Sequence, residues 1–178
     1  MSDRFLVIDG SSLIHRAFFA LPPLMNKKGL HTGAVYGFCN MLLKLLDEVK
    51  PKYVAVAFDK SRKTFRTEMF ADYKGTRKPT PSELSEQFPL TMKVLDALNI
   101  VSLELDNYEA DDIIGTFAKH APEDVEVHII TGDRDELQLI DKRTRFTTPS
   151  VAFPMCKFLT RKSSLLITKA LRLNNLLS

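Results

Sequence analysis

The chain has 178 residues, of which 44% are hydrophobic and 26% are charged, so its composition is that of an ordinary globular protein. This excludes a collagen, a wholly disordered chain and a disulfide-rich miniprotein, and the length favours one domain that buries its own core. All 22 acidic residues lie between Asp3 and Asp141, whereas residues 142–178 contain eight basic residues and no acidic one. The formal net charge of +3 is therefore positive only because of the basic residues at the end of the chain.

The body of the chain alternates strand-like apolar runs with segments whose hydrophobic residues recur at helical spacing. In chain order the predicted elements are a strand at 5–8, a helix at 12–19, a loop at 21–31, a helix at 33–50, a strand at 53–58, a polar and basic loop at 60–81, a helix at 82–98, a strand at 100–105, a helix at 109–120, a strand at 125–130 and a short helix at 134–140. Consecutive apolar residues are typical of strands covered on both faces. The pattern predicts an α/β fold with a central, mostly parallel sheet and helices on both faces.

The end of the chain breaks this pattern. Residues 144–178 show no strand period and no acidic residue, so we expect a domain over 1–143 followed by a poorly structured basic tail over 144–178. A basic, leucine-rich helix at 164–177 on a membrane surface is the alternative. Cys39 and Cys156 form no CxxC pair, no apolar run is long enough to span a membrane, and no signal peptide precedes the first strand. A cytoplasmic protein with reduced thiols is therefore expected.

Acidic residues recur where the predicted strands end and where the third strand passes into a helix. They are Asp9, Asp59, Glu109, Asp111, Asp112, Asp133 and Asp135. The carboxyl ends of parallel strands lie at one edge of a sheet, so we expect these side chains to share one cleft. Two like charges about 4 Å apart repel by about 4 kcal/mol at an effective dielectric of about 20. Such a cleft therefore needs raised pKa values or bound cations.

Oxygen ligands without His or Cys suit Mg²⁺ or Mn²⁺ rather than Zn²⁺. A cleft that holds two such ions is typical of phosphoryl hydrolysis, in which the ions activate a water and stabilise the leaving oxygen. A single strand-end aspartate is more often a helix cap or turn former, and acids in a first helical turn often only complement the helix dipole. The metal-site hypothesis therefore depends on the convergence of the whole set.

The loop that follows Asp59 is basic. Residues 60–78 contain seven basic residues against two acidic ones, with Phe65, Phe70 and Tyr73 among them. Basic side chains can neutralise phosphates, and aromatic rings can stack on unpaired bases. Beside an acidic cleft, such a loop favours a polynucleotide substrate over a small phosphate ester, with a solvated surface loop as the alternative.

Seven short motifs occur in order along the chain. They are Val7-Ile8-Asp9-Gly10-Ser11, His15-Arg16-Ala17-Phe18-Phe19-Ala20-Leu21-Pro22, Ala57-Phe58-Asp59, Thr64-Phe65-Arg66, Tyr73-Lys74-Gly75-Thr76-Arg77, Glu109-Ala110-Asp111-Asp112 and Thr131-Gly132-Asp133-Arg134-Asp135. Together they resemble the 5′–3′ exonuclease domain of bacterial DNA polymerase I and its stand-alone flap-endonuclease relatives. The resemblance spans residues 4–142. It implies a PIN-like α/β domain that cleaves DNA at 5′ ends and 5′ flaps with divalent metal ions.

The resemblance also implies roles for individual residues. The first metal site would be formed by Asp9, Asp59, Glu109 and Asp111. The second would be served, directly or through water, by Asp112, Asp133 and Asp135. Catalytic contacts to the scissile phosphate would come from Lys74 and Arg77. The residues expected against the DNA are Arg16, Arg66, Tyr73, Lys74, Arg77 and Lys78. The implied cofactors are two Mg²⁺ or Mn²⁺ ions, and a monomer without a small-molecule cofactor or a membrane partner is expected.

The sequence departs from that family after about Arg143. The family continues into further βα structure, into a Gly-Asp-Ser-Ser-Asp-Asn type segment that supplies two more metal aspartates, and into a helix–hairpin–helix-like module that grips duplex DNA. None of these follows in the 178 residues. An acid-free stretch joined to a family-like domain indicates a truncated or out-of-frame product, so we expect an incomplete second metal site and low or absent activity.

Three other functions remain open. A haloacid-dehalogenase-like phosphatase also has a strand-end aspartate, but an acid normally follows its nucleophile at +2, where this chain has Ser11. A non-catalytic DNA-binding remnant would share the basic loop and differ only in turnover. A PIN-type ribonuclease would share the motifs, because they do not distinguish DNA from RNA.

Overall fold

The computed structural model describes residues 2–61, 64–70, 73–75 and 79–148. The strands in these ranges are β1 Asp3–Asp9, β2 Tyr53–Ala57, β3 Val101–Leu103, β4 Val125–Ile130 and β5 Thr144–Thr147. The helices are α1 Gly10–Ala20, α2 Gly33–Val49, α3 Phe65–Met69, α4 Ser82–Ser85, α5 Gln87–Ala97 and α6 Ala110–His120, with a 3₁₀ helix at Asp135–Leu139. Within the same ranges, no helix is long and apolar enough to cross a membrane.

The strands form one sheet in the order β3-β2-β1-β4-β5, and every neighbouring pair is parallel. The predicted α/β class with a parallel central sheet is therefore confirmed. The chain places β2 and β3 on one side of β1, and then β4 and β5 on the other side. In an open parallel sheet, such a reversal of strand order opens a crevice at the carboxyl ends of the strands, where ligands bind. The fold thus places a crevice between the ends of β1 and β4.

Helices cover both faces of the sheet, as the sequence predicts. Alternate strand residues face opposite sides. On one side Leu6 and Ile8 pack with α1, α2 and α5, and on the other Val7, Val127 and Ile129 pack with α6. Both faces are apolar, which explains why these strands appear in the sequence as unbroken hydrophobic runs.

The turn from β1 into α1 depends on Gly10. A Cβ atom at this position would lie 2.5 Å from the ring of Phe58 and 2.8 Å from Cγ1 of Val56. Helix α1 therefore starts closer to the end of β2 than a residue with a side chain would allow. This close approach leaves Asp9, the last residue of β1, as the N-cap of α1.

The helix predicted at 82–98 is interrupted at Glu86, between α4 and α5. The buried Gln87 side chain begins the second part, and its Oε1 accepts hydrogen bonds from the backbone N–H groups of Ala34 and Val35 at 2.8 and 3.2 Å. These amides belong to the first turn of α2 and have no partner within their own helix. A tertiary contact, which no local pattern reveals, therefore accompanies the break.

Two further elements differ from the prediction. The loop predicted at 60–81 contains the short helix α3, preceded by Thr64, whose backbone N–H donates to Thr67 Oγ1 at 3.0 Å. Strand β5, which no sequence pattern predicted, pairs with β4 just beyond the predicted domain end at 143. Residues 149–178 of the predicted tail lie outside the described residues, so the proposed boundary remains a prediction.

Candidate functional site

An acidic cleft of about 750 Å³ opens where β1, β2 and β4 end. Four carboxylates line it, which we call the cleft acids: Asp9, Asp59, Asp111 and Asp133. Because β2, β1 and β4 are neighbours in the sheet, three of them come from adjacent strand ends, and the fourth comes from the first turn of α6. The structure therefore brings together acids that lie far apart in the sequence.

Asp9 is almost fully buried, with 5% of its surface exposed. Its Oδ1 accepts a hydrogen bond from Ser12 N at 2.8 Å, and its Oδ2 accepts one from Thr131 Oγ1 at 2.7 Å. Burial outweighs these hydrogen bonds and raises the pKa of Asp9 to about 7, with smaller contributions from the charges of Asp111 and Asp59. A bound cation or a proton would therefore stabilise this carboxyl near neutral pH.

Two serines at the start of α1 hold the loops around the cleft. Ser11 Oγ accepts a hydrogen bond from Asp59 N at 3.0 Å, and Ser12 Oγ accepts one from Gly132 N at 2.9 Å. Asp59 Oδ1 in turn accepts from Ala110 N at 2.9 Å, which connects the end of β2 to α6. These hydrogen bonds join the three strand ends and α6 into one support for the cleft acids.

A further carboxylate lies beside Asp111. Glu136 in the 3₁₀ helix is 3% exposed. Burial, followed by the charges of Asp111 and Asp9, raises the pKa of Glu136 to about 8. Burial, followed by the charges of Asp133 and Asp59, also raises the pKa of Asp111. Sequence reasoning missed Glu136, because nothing in its local pattern marks it as buried.

Two acids of the predicted metal set are bound to cations of the basic segment; we call Glu109 and Asp112 the paired acids. Glu109 Oε2 accepts from Lys74 Nζ at 2.9 Å and from Tyr73 OH at 3.4 Å. Arg66 donates to both oxygens of Asp112 at 2.7 Å in a bidentate pair. The Arg66 guanidinium lowers the pKa of Asp112. The basic segment therefore touches the acidic site directly.

The cleft acids form no salt bridge with a lysine or arginine of the described residues. Over residues 2–61, 64–70, 73–75 and 79–148, no three His, Cys, Asp or Glu side chains form a ready-made metal cage either. The donor chemistry nevertheless fits a hard divalent cation, since four carboxylates line the cleft. Glu136 Oε2 is also buried without a hydrogen-bond partner in the described part of the chain.

The remaining predicted site residues lie at the margin of the cleft or outside the described ranges. Asp135 is exposed at the start of the 3₁₀ helix, and its N–H donates to Asp133 Oδ1 at 3.0 Å. Arg16 on α1 has a buried Nη1 that makes no hydrogen bond to the described residues. Arg77 and Lys78 lie outside the described residues.

Residues 4–165 match the family model described as the 5′–3′ exonuclease, N-terminal resolvase-like domain. The chain therefore belongs to this family. It is 56% identical over 140 residues to DNA polymerase I of Bacillus caldotenax and 52% identical over 142 residues to DNA polymerase I of Bacillus subtilis. These matches cover 78% and 79% of this chain but 16% of each polymerase. The chain thus spans a small part of the length of the relatives it matches.

Two solved structures share the fold. One is the T5 protein co-crystallised with metal ions, with a TM-score of 0.58 and 23% identity, covering 80% of this chain and 53% of that protein. The other is the bacteriophage T5 flap endonuclease in a pseudo-enzyme-product complex with DNA and metal ions. Its TM-score is 0.59 at 21% identity, covering 80% of this chain and 54% of that protein. The predicted PIN-like fold is confirmed by these likenesses.

Proposed function

We propose that this chain hydrolyses phosphodiester bonds of DNA at 5′ ends and 5′ flaps, in a reaction that requires divalent metal ions. The observation that supports this most strongly is that the four cleft acids and Lys74 line one cavity. Carboxylates attract a hard cation, whereas an ammonium group attracts a phosphate. A cleft that combines the two suits a substrate with an anionic backbone, and the exonuclease family supports DNA as that substrate.

The proposed ligands follow the family resemblance. The first ion would be held by Asp9, Asp59, Glu109 and Asp111. The second would be held, directly or through water, by Asp112, Asp133 and Asp135. When bound, such ions activate a water and stabilise the leaving oxygen of an in-line displacement.

Lys74 is proposed to hold the scissile phosphate, together with Arg77. In this structure Lys74 donates to Glu109 at 2.9 Å, and Arg66 occupies both oxygens of Asp112. Transfer of Lys74 from Glu109 to a phosphate would free the carboxylate for a cation at the same time. A phosphate that binds Lys74 would free Glu109, and a cation that binds Glu109 would free Lys74. Phosphate binding and cation binding would therefore favour each other.

Other side chains are proposed to guide the DNA toward the cleft. Tyr73 and Arg66 flank Glu109, and Arg16 lies on α1 with a buried guanidinium nitrogen that lacks a hydrogen-bond partner among the described residues. Lys78 is assigned the same role from the resemblance. These residues are proposed to contact the phosphate backbone, which positions DNA without reading its sequence.

Slow turnover is part of the proposal. The 178 residues contain no Gly-Asp-Ser-Ser-Asp-Asn type segment, from which the family draws two further metal aspartates. With fewer carboxylates for the second ion, the leaving oxygen is less well stabilised. We therefore expect this stretch of chain, assayed alone, to cleave slowly.

The test is cleavage of a 5′-flap DNA in Mg²⁺, with and without EDTA, by the parent chain, Asp59→Ala and Asp124→Ala. Asp124 is an exposed aspartate before β4, at the opposite edge of the sheet, and serves as the matched control. We expect slow, EDTA-sensitive cleavage that Asp59→Ala abolishes and Asp124→Ala retains. DNA binding without any turnover would contradict the proposal and favour a non-catalytic remnant, whereas preference for an RNA flap would favour a ribonuclease.

A further inference from the structure

Thr131 directly follows β4 and lies beside Asp9, the last residue of β1. The two strands are parallel neighbours whose register pairs Ile130 with Ile8, so the next residue of each strand meets the other at the edge of the cleft. The Thr131 side chain is polar, yet the residue is fully buried. A buried hydroxyl is costly unless it is hydrogen-bonded, so its partners indicate its role.

The Thr131 hydroxyl connects two of the cleft acids. Its Oγ1 donates to Asp9 Oδ2 at 2.7 Å and accepts from the backbone N–H of Asp133 at 3.0 Å. An amide N–H can only donate and an ionised carboxylate can only accept, whereas a hydroxyl has one proton to donate and lone pairs that accept. A hydroxyl therefore satisfies both neighbours at once, and an apolar side chain at this position would satisfy neither.

Two elements hold the Asp9 carboxylate from two sides. Its Oδ1 accepts from Ser12 N at 2.8 Å in the first turn of α1, while its Oδ2 is held by Thr131 at the end of β4. With both oxygens held, the carboxylate plane is fixed relative to the cleft. Each carboxylate oxygen has about two acceptor positions, so each one retains a position for a cation.

We propose that Thr131 is a positioning residue of the acidic cleft, whose hydroxyl orients the Asp9 carboxylate and fixes the backbone of Asp133 for binding of divalent cations. This inference rests on the proposed function, because it concerns the same site. The family resemblance places Thr131 within a motif but assigns it no role. Thr131 acts through the two acids, and hydrogen bonds that orient metal ligands in this way increase the affinity of a site for its metal.

Binding of Mn²⁺ alone, measured by calorimetry, tests the role of the hydroxyl without a nuclease assay. Thr131→Val keeps the size and branching of the side chain but removes the hydroxyl, whereas Thr131→Ser keeps the hydroxyl. Loss of a residue that orients a metal ligand typically weakens metal affinity about 10- to 100-fold, and we expect a loss of this size in Thr131→Val. Thr131→Ser should retain most of the parental affinity.

Thr91→Val is the matched control, because it makes the same chemical change at another fully buried threonine. The Thr91 hydroxyl donates to the carbonyl of Gln87 at 3.0 Å within α5, and Thr91 does not line the cleft. This variant should bind Mn²⁺ with parental affinity.

Thermal unfolding separates positioning from a purely structural role. A purely structural hydroxyl would lower the melting temperature of metal-free Thr131→Val and leave the Mn²⁺ affinity of the folded chain unchanged. A positioning hydroxyl also makes the Mn²⁺-induced rise in melting temperature smaller in Thr131→Val than in the parent. Thr131→Cys, with a weakly donating thiol, should show a smaller loss of affinity in the same direction and carries the test if the valine variant does not fold.

The outcomes separate this inference from the proposed function. If Asp9→Asn loses Mn²⁺ and the folded Thr131 variants without a hydroxyl bind it with parental affinity, the inference is wrong, while the metal-dependent function stands. Equal losses in Thr131→Ser and Thr131→Val would also contradict it, because the hydroxyl would then not be the group that matters. If the parent itself binds no Mn²⁺, the metal dependence in the proposed function fails, and the positioning role of Thr131 fails with it.

Discussion

The cleft acids and the paired acids are neighbours, but they differ in whether a lysine or arginine of the protein binds them. Glu109 and Asp112 receive a lysine and an arginine from the basic segment, and the pKa of Asp112 falls as a result. Asp9 and Asp111 receive no such cation from the described residues, and burial raises their pKa values. One half of the site is thus neutralised by cations of the basic segment, whereas burial disfavours the charged carboxylates in the other half.

Lys74 lines the cleft with the cleft acids and also binds Glu109. Its replacement has the largest expected effect on the rate of cleavage. Lys74→Met should slow flap cleavage by about 100-fold or more, because the proposed charged contact between Lys74 and the scissile phosphate would be lost. Mn²⁺ affinity should hold or increase, because Glu109 loses its competing ammonium group. Both are measured by single-turnover cleavage and calorimetry.

Lys52→Met is the matched control for that change, since Lys52 pairs with Asp3 at the opposite edge of the sheet. It should retain parental cleavage and Mn²⁺ affinity. Equal rates for the Lys74 and Lys52 variants would exclude a phosphate contact by Lys74.

The pH dependence of stability tests the difference between the cleft acids and the paired acids through Asp9. The pKa of Asp9 is raised from 3.8 to about 7, so between these values the native state binds more protons than the unfolded chain. Stability must therefore fall as pH rises through this range. We expect the melting temperature of the metal-free chain to fall by roughly 4 °C or more between about pH 5 and pH 7.5.

Asp9→Asn identifies the source of that fall. The amide cannot ionise, so the melting temperature of this variant should decrease less over the same pH interval, and at about pH 7.5 it should exceed that of the metal-free parent. Parallel curves for parent and variant would show that another group governs the pH dependence.

The smallest expected effect concerns the paired acids. Arg66→Gln leaves Asp112 without its bidentate partner and should lower the free energy of unfolding by about 1 kcal/mol, measured by urea denaturation. Arg145→Gln is the control, because the Arg145 side chain is 71% exposed in its pair with Glu126. It should cost less than about 0.5 kcal/mol. Equal losses would mean that the Arg66 pair is no stronger than an ordinary surface ion pair.

Sequence reasoning located the cleft acids because their position follows from a local rule. Asp9, Asp59 and Asp133 each follow a strand-like run, and parallel strands end at one edge. The same reasoning missed Glu136, since nothing in its local sequence marks it as buried. Strand β5 was also missed, because its short run has no alternation and is stabilised by pairing with β4.

The sequence by itself was sufficient to predict the α/β class, the parallel sheet, the family and the edge of the sheet that carries the acids. Each of these follows from periodicity or from motifs a few residues long. The distinction between the cleft acids and the paired acids could be seen only in the folded structure. Lys74 and Glu109 are 35 residues apart and Arg66 and Asp112 are 46 apart, so only packing could bring them into contact. The raised pKa values likewise depend on burial, which is a property of the folded molecule and not of any local segment.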